Sequence, residues 1–373
     1  ARGKKIYHLN IGQPDIPTPP AFFDAVHSYR SEVLAYAPSP GVPAYVEAVQ
    51  RYYQRIGAPL AEGDILATSG GSEALQMAMS CILDEGDEIL IPEPFYTNYN
   101  TFVHVAGGRI RPIHSSPEEG YRYAERSRIE PLITERTRAI LVTNPGNPTG
   151  TVLTPEEMNV IADIAKEHGL FLVADEVYRE FVYGGEPLST FLTIPGLEEN
   201  LIVVDSVSKR FSACGARVGA LISRNPEFIA QAMKLCQGRL CSATLDQLGA
   251  AALYSVDPDY FTATRDEYRR RRNACVEGLH KIPGVVCGEP KGAFYLMAKL
   301  PVDDADKFQT WLLEEFEDQG ETLMFAPGEG FYATPGKGKD EIRIAYVLNE
   351  ADIRRSMELL GIAIDRYRKE KMA

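Results

Sequence analysis

Short apolar runs alternate along this chain with segments of helical period, and this alternation constrains the fold more than any other feature. The runs are DEILIPEP, TRAILVTNP, LFLVADE, NLIVVDS and RVGALIS. Strands that are apolar along their whole length are buried on both faces, which is typical of a mostly parallel sheet covered by helices on each side. The middle of the chain is therefore predicted to be a three-layer α/β structure with a mostly parallel sheet.

One helix start is visible in detail. Thr154 is followed by Pro155 and, three residues after the threonine, by Glu157, which is the order of an N-cap, a first-turn proline and a capping-box acid. Gly169 precedes the next apolar run and is suited to end a helix. The pattern predicts a helix between these points that joins two parallel strands.

The chain changes character after Pro258. YFTATRDEYRRRRNACVEGLHKI has the pattern of a long, charged amphipathic helix, and GVVCGEP, GAFYLMAKL and EIRIAYVL read as a separate set of strands. With 373 residues the chain also exceeds the roughly 250–300 residues at which single cores stop growing. We therefore predict a large domain over residues 38–257 and a smaller α+β domain made of residues 1–37 and 258–373.

The composition argues against several classes of protein. Lys and Arg number 39 against 52 Asp and Glu, a net charge of −13, which disfavours nucleic acid as a partner. The six cysteines show no CxxC pair and no zinc-binding spacing, so we expect reduced thiols in a cytoplasmic protein and no metal site. No apolar stretch approaches the roughly 18–20 residues of a membrane span and no signal peptide opens the chain, so no membrane partner is expected. Because the first residue is Ala1 rather than Met, we expect the natural protein to begin further upstream.

Polar residues follow three of the apolar runs at the point where each predicted strand ends. They are Asn144 and Asn147 after AILVT, Asp175 and Tyr178 after LFLVA, and Ser206, Ser208 and Lys209 after NLIVVD. Each alone is suited to a turn, a helix cap or the solvent. In an open parallel sheet, however, ligands bind beyond the carboxyl ends of the strands. The pattern therefore predicts a binding site in which an amide, a carboxylate, a phenol and an amine meet.

A phosphate site is predicted as well. The turn at residues 70–72, GGS, precedes a helix whose first turn carries Glu73, so free backbone N–H groups and the positive end of the helix dipole can face an anion. Arg217 adds a forked guanidinium suited to bidentate contact with phosphate. No GxGxxG follows a first strand and no P-loop lysine is present, which argues against a dinucleotide or a nucleoside triphosphate.

One cofactor has needs that match this set of groups. The aldehyde of pyridoxal phosphate condenses with a lysine, its pyridine nitrogen needs a carboxylate to stay protonated, and its phosphate needs an anion pocket. The chain offers a group for each need. Lys209 is the lysine, Asp175 is the carboxylate, and the GGS turn with Arg217 forms the anion pocket. We therefore infer pyridoxal 5'-phosphate as the cofactor.

The sequence resembles the class I aminotransferases, pyridoxal-phosphate enzymes of fold type I that are similar to aspartate aminotransferases. The motifs that carry the resemblance, in the family's order, are LNIGQPD, YAPSPG, TSGGSEAL, NPGNPTG, ADEVY, SVSKRFSACGARVG and EIRIAY. The resemblance implies an enzyme that moves an amino group between an L-amino acid and a 2-oxo acid, with aspartate and 2-oxoglutarate as a candidate pair. It also implies a homodimer with shared active sites.

The resemblance implies a role for each cofactor residue. Lys209 would form the Schiff base with the cofactor and then move the substrate's α-proton, and Asp175 would keep the pyridine nitrogen protonated. Tyr178 and Asn147 would hydrogen-bond the cofactor's phenolate oxygen. The residues implied to hold the phosphate are Gly71, Ser72, Ser206, Ser208 and Arg217.

Further roles concern the ring face, the substrate and the second subunit. By resemblance, Tyr96 would stack on the pyridine ring, and Tyr36 of the neighbouring subunit would reach the phosphate. Gly12 would lie against the substrate, where the lack of a side chain permits close approach. Arg343 would bind the substrate α-carboxylate as a bidentate fork, with Asn147 beside it. The alternatives are an ordinary core aromatic at position 96 and a structurally paired charge at position 343.

Two positions leave the substrate open. An aspartate-specific branch of the family carries a lysine where this chain has Ser72, which puts aspartate in doubt. Arg239 lies near the region from which another branch supplies a partner-subunit arginine, and an ordinary surface arginine is the alternative.

Two other functions also stay open, because one fold supports several reactions. One is another enzyme of this fold, such as a carbon–sulfur lyase. The other is a non-catalytic cofactor-binding regulator, although residues 1–35 are too short for the DNA-binding domain that such proteins usually carry.

Overall fold

The protein is described by a computed structural model that covers residues 3–185 and 188–372. Its strands are β1 (Lys5–His8), β2 (Ile65–Thr68), β3 (Glu88–Glu93), β4 (Arg109–His114), β5 (Thr137–Thr143), β6 (Phe171–Asp175), β7 (Leu201–Ser206), β8 (Gly219–Ile222), β9 (Tyr295–Lys299), β10 (Glu321–Met324), β11 (Ala326–Pro327) and β12 (Glu341–Ala345). Its α-helices are α1 (Ala21–Ser28), α2 (Pro43–Arg55), α3 (Gly70–Ile82), α4 (Asn98–Val105), α5 (Arg126–Ile129), α6 (Pro155–Glu167), α7 (Val207–Arg210), α8 (Pro226–Arg239), α9 (Thr244–Leu253), α10 (Asp259–Leu279), α11 (Ala305–Glu314) and α12 (Glu350–Lys371).

The central sheet has seven strands in the order β2-β8-β7-β6-β5-β3-β4. Neighbouring strands run parallel except at β8, which is antiparallel to both β2 and β7. Successive residues point to opposite faces: Val173 and Val204 pack in one apolar cluster with α3, and Leu172 and Val203 pack in another with α2 and α6. Helices therefore cover both faces, and the predicted three-layer α/β architecture with a mostly parallel sheet is confirmed.

The helix predicted after Thr154 is α6. The Glu157 backbone N–H donates to Thr154 Oγ1 at 3.2 Å, and the Thr154 backbone N–H donates to Glu157 Oε2 at 2.8 Å, which completes the capping box. Past the end of the helix, Gly169 has φ +61°, a left-handed conformation that glycine adopts without steric cost. Both boundaries were readable because each depends on residues only a few positions apart.

The C-terminal part of the chain forms smaller sheets. β11, β12 and β9 make an antiparallel sheet, and β1 pairs in parallel with β10. The long helix predicted after Pro258 is α10, and it packs against α12. The strand predicted over GVVCGEP is wrong, because within the described residues its pairing is limited to an isolated bridge between Val286 and Lys299. At its start, Gly284 has φ +84°, which turns the backbone away from an extended path.

The N-terminal segment contacts both parts of the molecule. β1 lies beside β10, whereas α1 packs against α9, where a Cβ at Gly249 would come within 2.6 Å of the Phe22 ring. The division into residues 38–257 and residues 1–37 plus 258–373 stays a prediction. Residues 1–2, 186–187 and 373, which these predicted domains include, lie outside the described residues.

The composition led us to expect reduced thiols and no membrane span. All six cysteines are free. Across residues 3–185 and 188–372, no helix combines the length and the apolar character needed to cross a membrane.

Candidate active site

A pocket of about 410 Å³ lies beyond the carboxyl ends of β5, β6 and β7, at the predicted edge of the sheet. Every residue to which the resemblance assigns a role at the cofactor or the substrate, except Tyr36, contributes to its lining. These residues are Gly12, Gly71, Ser72, Tyr96, Asn147, Asp175, Tyr178, Ser206, Ser208, Lys209, Arg217 and Arg343. Asn144 is not among them: its side chain accepts a hydrogen bond from the Leu153 backbone N–H at 3.0 Å, so it stabilises a turn.

Lys209 projects from α7, a single helical turn that directly follows β7. Its Nζ donates a hydrogen bond to the carbonyl oxygen of Gly12 at 3.0 Å and lies 3.8 Å from Cys214 Sγ. The amine is therefore held by a neutral acceptor rather than by a carboxylate. A lysine in this state is available to react with a carbonyl group once the hydrogen bond is released.

The residues predicted for the phosphate lie together at one end of the pocket. Ser206 Oγ donates to Ser208 Oγ at 2.8 Å and accepts from the Ser208 backbone N–H at 3.0 Å. The exposed Arg217 donates from Nη1 to the Cys214 carbonyl at 3.0 Å. Gly70 has φ +77°, and a Cβ there would lie 2.5 Å from Arg217 Nη2, so glycine is needed where α3 begins. The first turn of α3 and a guanidinium thus face the same space, as an anion site requires.

Asp175 lies at the end of β6 with its carboxylate buried. Oδ2 accepts a hydrogen bond from the Tyr99 hydroxyl at 2.7 Å, and that hydroxyl lies 2.6 Å from Thr143 Oγ1. Burial raises the pKa of Asp175 to about 6, and the hydrogen bond from Tyr99 opposes this rise. Sequence reasoning missed Tyr99 and Thr143. Two features of the sequence could have indicated them. Tyr99 follows Tyr96 by one helical turn, and Thr143 ends β5, the strand that neighbours β6.

Tyrosine hydroxyls form a short chain across the pocket. Asn147 Nδ2 donates to the Tyr178 hydroxyl at 3.4 Å, and that hydroxyl lies 3.1 Å from the hydroxyl of Tyr295. Tyr295, which sequence reasoning also missed, donates in turn to the Gly12 carbonyl at 3.4 Å. A Cβ at Gly12 would lie 1.7 Å from the Tyr295 hydroxyl, so in this structure it is Tyr295 that requires glycine at position 12. The predicted contact of Gly12 with the substrate stays a prediction.

Arg343 on β12 also lines the pocket. Its Nη2 donates to the Asn10 carbonyl at 2.7 Å and its Nη1 to Asn147 Oδ1 at 3.2 Å. The guanidinium lies over the rings of Tyr295 and Phe331, at 4.6 and 4.9 Å from their centroids. The buried Nε has no hydrogen-bond partner among the described residues. The alternative of a structurally paired charge gains no support from these neutral contacts.

Three further predicted residues occupy different positions. Tyr96 lines the pocket and meets Tyr99 edge-on, with ring centroids 5.5 Å apart. Tyr36 is 78% exposed and does not line the pocket of its own chain, so its predicted role in a neighbouring subunit stays a prediction. Arg239 does not line the pocket: it pairs with Glu73 at 3.1 Å and donates to the Ala67 carbonyl at 2.7 Å.

Four charged residues line the pocket, and none has an ion-pair partner within 4 Å in the described part of the chain. Their hydrogen bonds go to backbone carbonyls, amides, hydroxyls and a thiol. The residues are Asp175, Lys209, Arg217 and Arg343. Uncompensated charges in a partly dry site are costly, so the pocket is suited to a ligand that carries charges of both signs. Pyridoxal phosphate, with a protonatable ring nitrogen and a phosphate, fits these residues, and an amino acid adds a carboxylate.

This fold and site define a pyridoxal-phosphate enzyme of fold type I. The family model described as aminotransferase class I and II matches residues 4–360, and the chain belongs to that family. The protein is a pyridoxal-phosphate-dependent aminotransferase.

Relatives and solved structures are similar over nearly the whole chain. An aspartate aminotransferase of Streptomyces avermitilis is 32% identical, covering 95% of this chain and 88% of the relative. Another from Geobacillus stearothermophilus is 30% identical, covering 99% and 92%. Thermus thermophilus aspartate aminotransferase, solved with maleate, superposes with a TM-score of 0.87 at 28% identity, covering 97% of this chain and 92% of the other. The aromatic aminotransferase of Pyrococcus horikoshii also gives 0.87 at 28% identity, covering 98% and 96%.

Proposed function

We propose that this enzyme transfers the amino group of an L-amino acid to a 2-oxo acid through Lys209, with aspartate and 2-oxoglutarate as the leading pair. The observation that carries the proposal is the set of four pocket charges without ion-pair partners among the described residues: Asp175, Lys209, Arg217 and Arg343. Each is placed to meet one charged or reactive group of the cofactor and the substrate.

The cofactor end of the pocket uses this chain's own donors. When bound, pyridoxal phosphate supplies an aldehyde that condenses with amines and a ring that accepts electrons from the substrate's α-carbon. Arg217, the serines at 206 and 208 and the first turn of α3 hold the phosphate. Asp175 would keep the ring nitrogen protonated, and a protonated ring is a stronger electron acceptor. Tyr178 and Asn147 donate hydrogen bonds to the phenolate oxygen.

The substrate end depends on Lys209 and Arg343. The guanidinium of Arg343 binds the α-carboxylate and thereby fixes which face of the amino acid meets the lysine. The amine of Lys209 would hold the cofactor and, when free, would act as the base that removes the proton from the substrate's α-carbon.

The donor amino acid follows from the basic residues of the pocket. Among the described residues that line it, these are Lys209, Arg217 and Arg343, so the second carboxylate of aspartate finds no further cation within this subunit. The relatives named aspartate aminotransferase support aspartate, with the missing cation supplied by a partner subunit. The lack of that cation, together with the lining residues Ile11 and Leu75, favours an apolar or aromatic amino acid as the second candidate.

We also propose a cytoplasmic homodimer in which Tyr36 serves the neighbouring pocket. Val33, Leu34 and Tyr36 are 68%, 60% and 78% exposed, and they line one surface hollow together with Leu245. Such a cluster of large apolar side chains is suited to an interface. The six free thiols support a reducing compartment. The division into a large and a small domain at residues 38 and 258 belongs to the same proposal.

A half-reaction experiment tests this function. Single L-amino acids are added to the purified holoenzyme without an acceptor, and the visible absorbance of the bound cofactor is followed. Conversion to the amine form supports the proposal, and the ranking of aspartate against phenylalanine and leucine assigns the donor class. If no amino acid converts the cofactor, the proposal fails. Release of pyruvate and ammonia from a cysteine derivative would instead indicate a carbon–sulfur lyase.

A further inference from the structure

A cluster of four charged residues lies buried directly behind the pocket. Each of the four is only 1% exposed. We call them the buried ion cluster, and its members are Glu176, Arg179, Asp205 and Arg210. None of them lines the pocket, so none contacts the space that the cofactor and the substrate occupy.

The members of the buried ion cluster are joined by short, directional contacts. Arg210 Nη2 donates to both oxygens of Asp205, at 2.8 and 3.0 Å. Arg179 Nη1 lies 3.5 Å from Asp205 Oδ2, and Arg179 Nε donates to Glu176 Oε2 at 3.1 Å. Tyr53 on α2 bridges the two halves, donating to Asp205 Oδ2 at 2.9 Å and accepting from Arg179 Nη2 at 2.6 Å. Although burial opposes ionisation, Arg210 and Arg179 keep the pKa of Asp205 below its usual value.

Every member of the buried ion cluster is a chain neighbour of a pocket residue. The pairs are Asp175 with Glu176, Tyr178 with Arg179, Ser206 with Asp205, and Lys209 with Arg210. Asp205 and Ser206 lie on β7, where successive side chains point to opposite sides. In the turn at Tyr178 and in α7, successive side chains also point in different directions, so one side chain lines the pocket while the next joins the cluster. The orientation of four pocket residues is therefore coupled to a single set of ion pairs.

The coupling is tightest at Lys209. α7, which carries the lysine, has only four residues, and a helix this short is not stable by itself. Arg210 at its end is bound to Asp205 on β7, and Asp205 Oδ1 also accepts from the Ser206 backbone N–H at 2.8 Å. The ion pair thus spans the turn from strand to helix end and limits how the lysine can move.

Stability alone does not account for this arrangement. Removing ions from water costs several kcal/mol per ion, and apolar side chains of similar volume often serve a core equally well. Directional hydrogen bonds, in contrast, hold neighbouring groups in one geometry, which apolar packing does less strictly. The guanidinium of Arg210 also lies 4.1 Å from the centroid of the Tyr52 ring, so its position is fixed on more than one side.

We propose that the buried ion cluster is a positioning device for the transamination site, with Arg210 and Tyr53 as positioning residues that hold the Lys209 turn in register with Asp175. The proposal rests on the role of Lys209 proposed above. It predicts that loosening the cluster will misplace the amine without removing any group that contacts the cofactor or the substrate.

The test compares two substitutions on the same helix. Tyr53→Phe removes the hydroxyl that bridges Arg179 and Asp205. Tyr45→Phe removes an equally buried hydroxyl that makes no hydrogen bond to a charged side chain among the described residues. Both holoenzymes are compared with the wild type for kcat, for KM and for the midpoint of the pH titration of the cofactor's visible absorbance. Unfolding in urea measures their stability.

We expect Tyr53→Phe to lower kcat about tenfold, with little change in KM, because a small misplacement of a reacting group costs rate rather than binding. The absorbance midpoint should move by at least about half a pH unit, and Tyr45→Phe should change neither quantity. Arg210→Lys keeps the positive charge but loses the forked guanidinium. It should change kcat and the absorbance midpoint in the same direction as Tyr53→Phe. If Tyr53→Phe changes only the urea midpoint, or changes kcat no more than Tyr45→Phe does, the cluster is purely structural and the proposal is overturned.

The same measurements separate this proposal from the proposed function. If the wild type shows the half-reaction and Lys209→Ala abolishes it, the proposed function holds whatever Tyr53→Phe does. If Lys209→Ala keeps both turnover and the titrating absorbance, the role of Lys209 fails, and the positioning proposal is overturned with it.

Discussion

The Tyr99 hydroxyl donates a hydrogen bond to the Asp175 carboxylate across 2.7 Å, and both groups are buried. The bond joins the first turn of α4 to the end of β6. It stabilises the ionised form of a carboxylate whose pKa burial alone would raise further. Tyr99 therefore supports the negative charge that the role proposed for Asp175 at the ring nitrogen requires.

Replacing Tyr99 by Phe should weaken cofactor binding near neutral pH. A hydrogen bond to a charged group contributes about 1.5–3 kcal/mol, so its loss should raise the pKa of Asp175 by about one unit or more beyond about 6. Fluorescence titration of the apoenzyme with pyridoxal phosphate at about pH 6.5 should show a higher Kd than the wild type. Because the carboxylate is ionised in both proteins at about pH 9, the difference should nearly vanish there. An equal Kd at the lower pH would contradict the assigned role of Tyr99.

Replacing Asp175 by Asn should stabilise the apoenzyme at neutral pH. Burial raises the pKa of Asp175 from 3.8 to about 6, so the folded apoenzyme retains a proton that the unfolded chain has released in this range. The stability linked to this proton is complete below pH 3.8 and is lost as the pH rises through about 6. At about pH 7 the ionised carboxylate therefore costs the folded state roughly 3 kcal/mol.

Urea unfolding of the two apoenzymes at about pH 4.5 and about pH 7.5 measures this effect. The Asp175→Asn variant should show its advantage mainly at the higher pH. The same variant should bind pyridoxal phosphate more weakly, because an amide does not hold the ring nitrogen protonated. A variant less stable than the wild type at both pH values would show that the buried carboxylate does not carry this cost.

The sequence was most informative where function depends on residues close together in the chain. The capping box at Thr154 and the polar residues after each strand are local patterns, and the parallel sheet then brings the strand ends to one edge. Tyr99 and Tyr295 were not found, because their partners lie 76 and 117 residues away and their contacts depend on packing between helix, strand and loop. The buried ion cluster was missed because Tyr53, which joins its two halves, lies 126 residues from Arg179 and 152 from Asp205.

The one strand that was predicted wrongly illustrates another limit. GVVCGEP has the apolar, β-branched composition of a strand, yet its pairing in the described chain is a bridge between Val286 and Lys299. Composition indicates that a segment can extend, but a strand also needs a neighbour with free backbone groups along its length.

Replacing Lys209 by Ala should abolish transamination and leave the fold intact. The side chain is partly buried, and its hydrogen bonds are limited, within the described chain, to the Gly12 carbonyl and the Cys214 thiol. Loss of the amine would remove both the proposed covalent link to the cofactor and the proposed proton carrier. Borohydride reduction followed by mass spectrometry should detect cofactor attached to the wild-type chain and none on the variant. The matched control is Lys234→Ala, an exposed lysine on α8, which should behave like the wild type.

Replacing Arg343 by Lys should weaken substrate binding and spare the cofactor. An ammonium group keeps the charge but cannot make the parallel pair of hydrogen bonds that a guanidinium makes to a carboxylate. We expect KM for amino acid donors to rise about 10- to 100-fold, with the cofactor's Kd unchanged. Steady-state kinetics with one donor and one 2-oxo acid, together with a cofactor titration, would check both parts. If cofactor affinity fell by as large a factor as KM rose, Arg343 would contact the cofactor, and its proposed role in substrate binding would be contradicted.

A heterodimer tests whether Tyr36 acts across the interface. Tyr36 is 78% exposed and does not line its own pocket, so its side chain can reach a cofactor only from a neighbouring subunit. In a dimer of one Lys209→Ala chain and one Tyr36→Ala chain, one pocket combines the intact Lys209 with the intact Tyr36, and the other pocket lacks both. Because the two pockets are related by a twofold axis, this heterodimer should have about half of the wild-type kcat per dimer. Co-expression with two different affinity tags allows it to be purified from both homodimers. If Tyr36 instead acts within its own chain, neither pocket is intact, and the activity should equal the mean of the two homodimers.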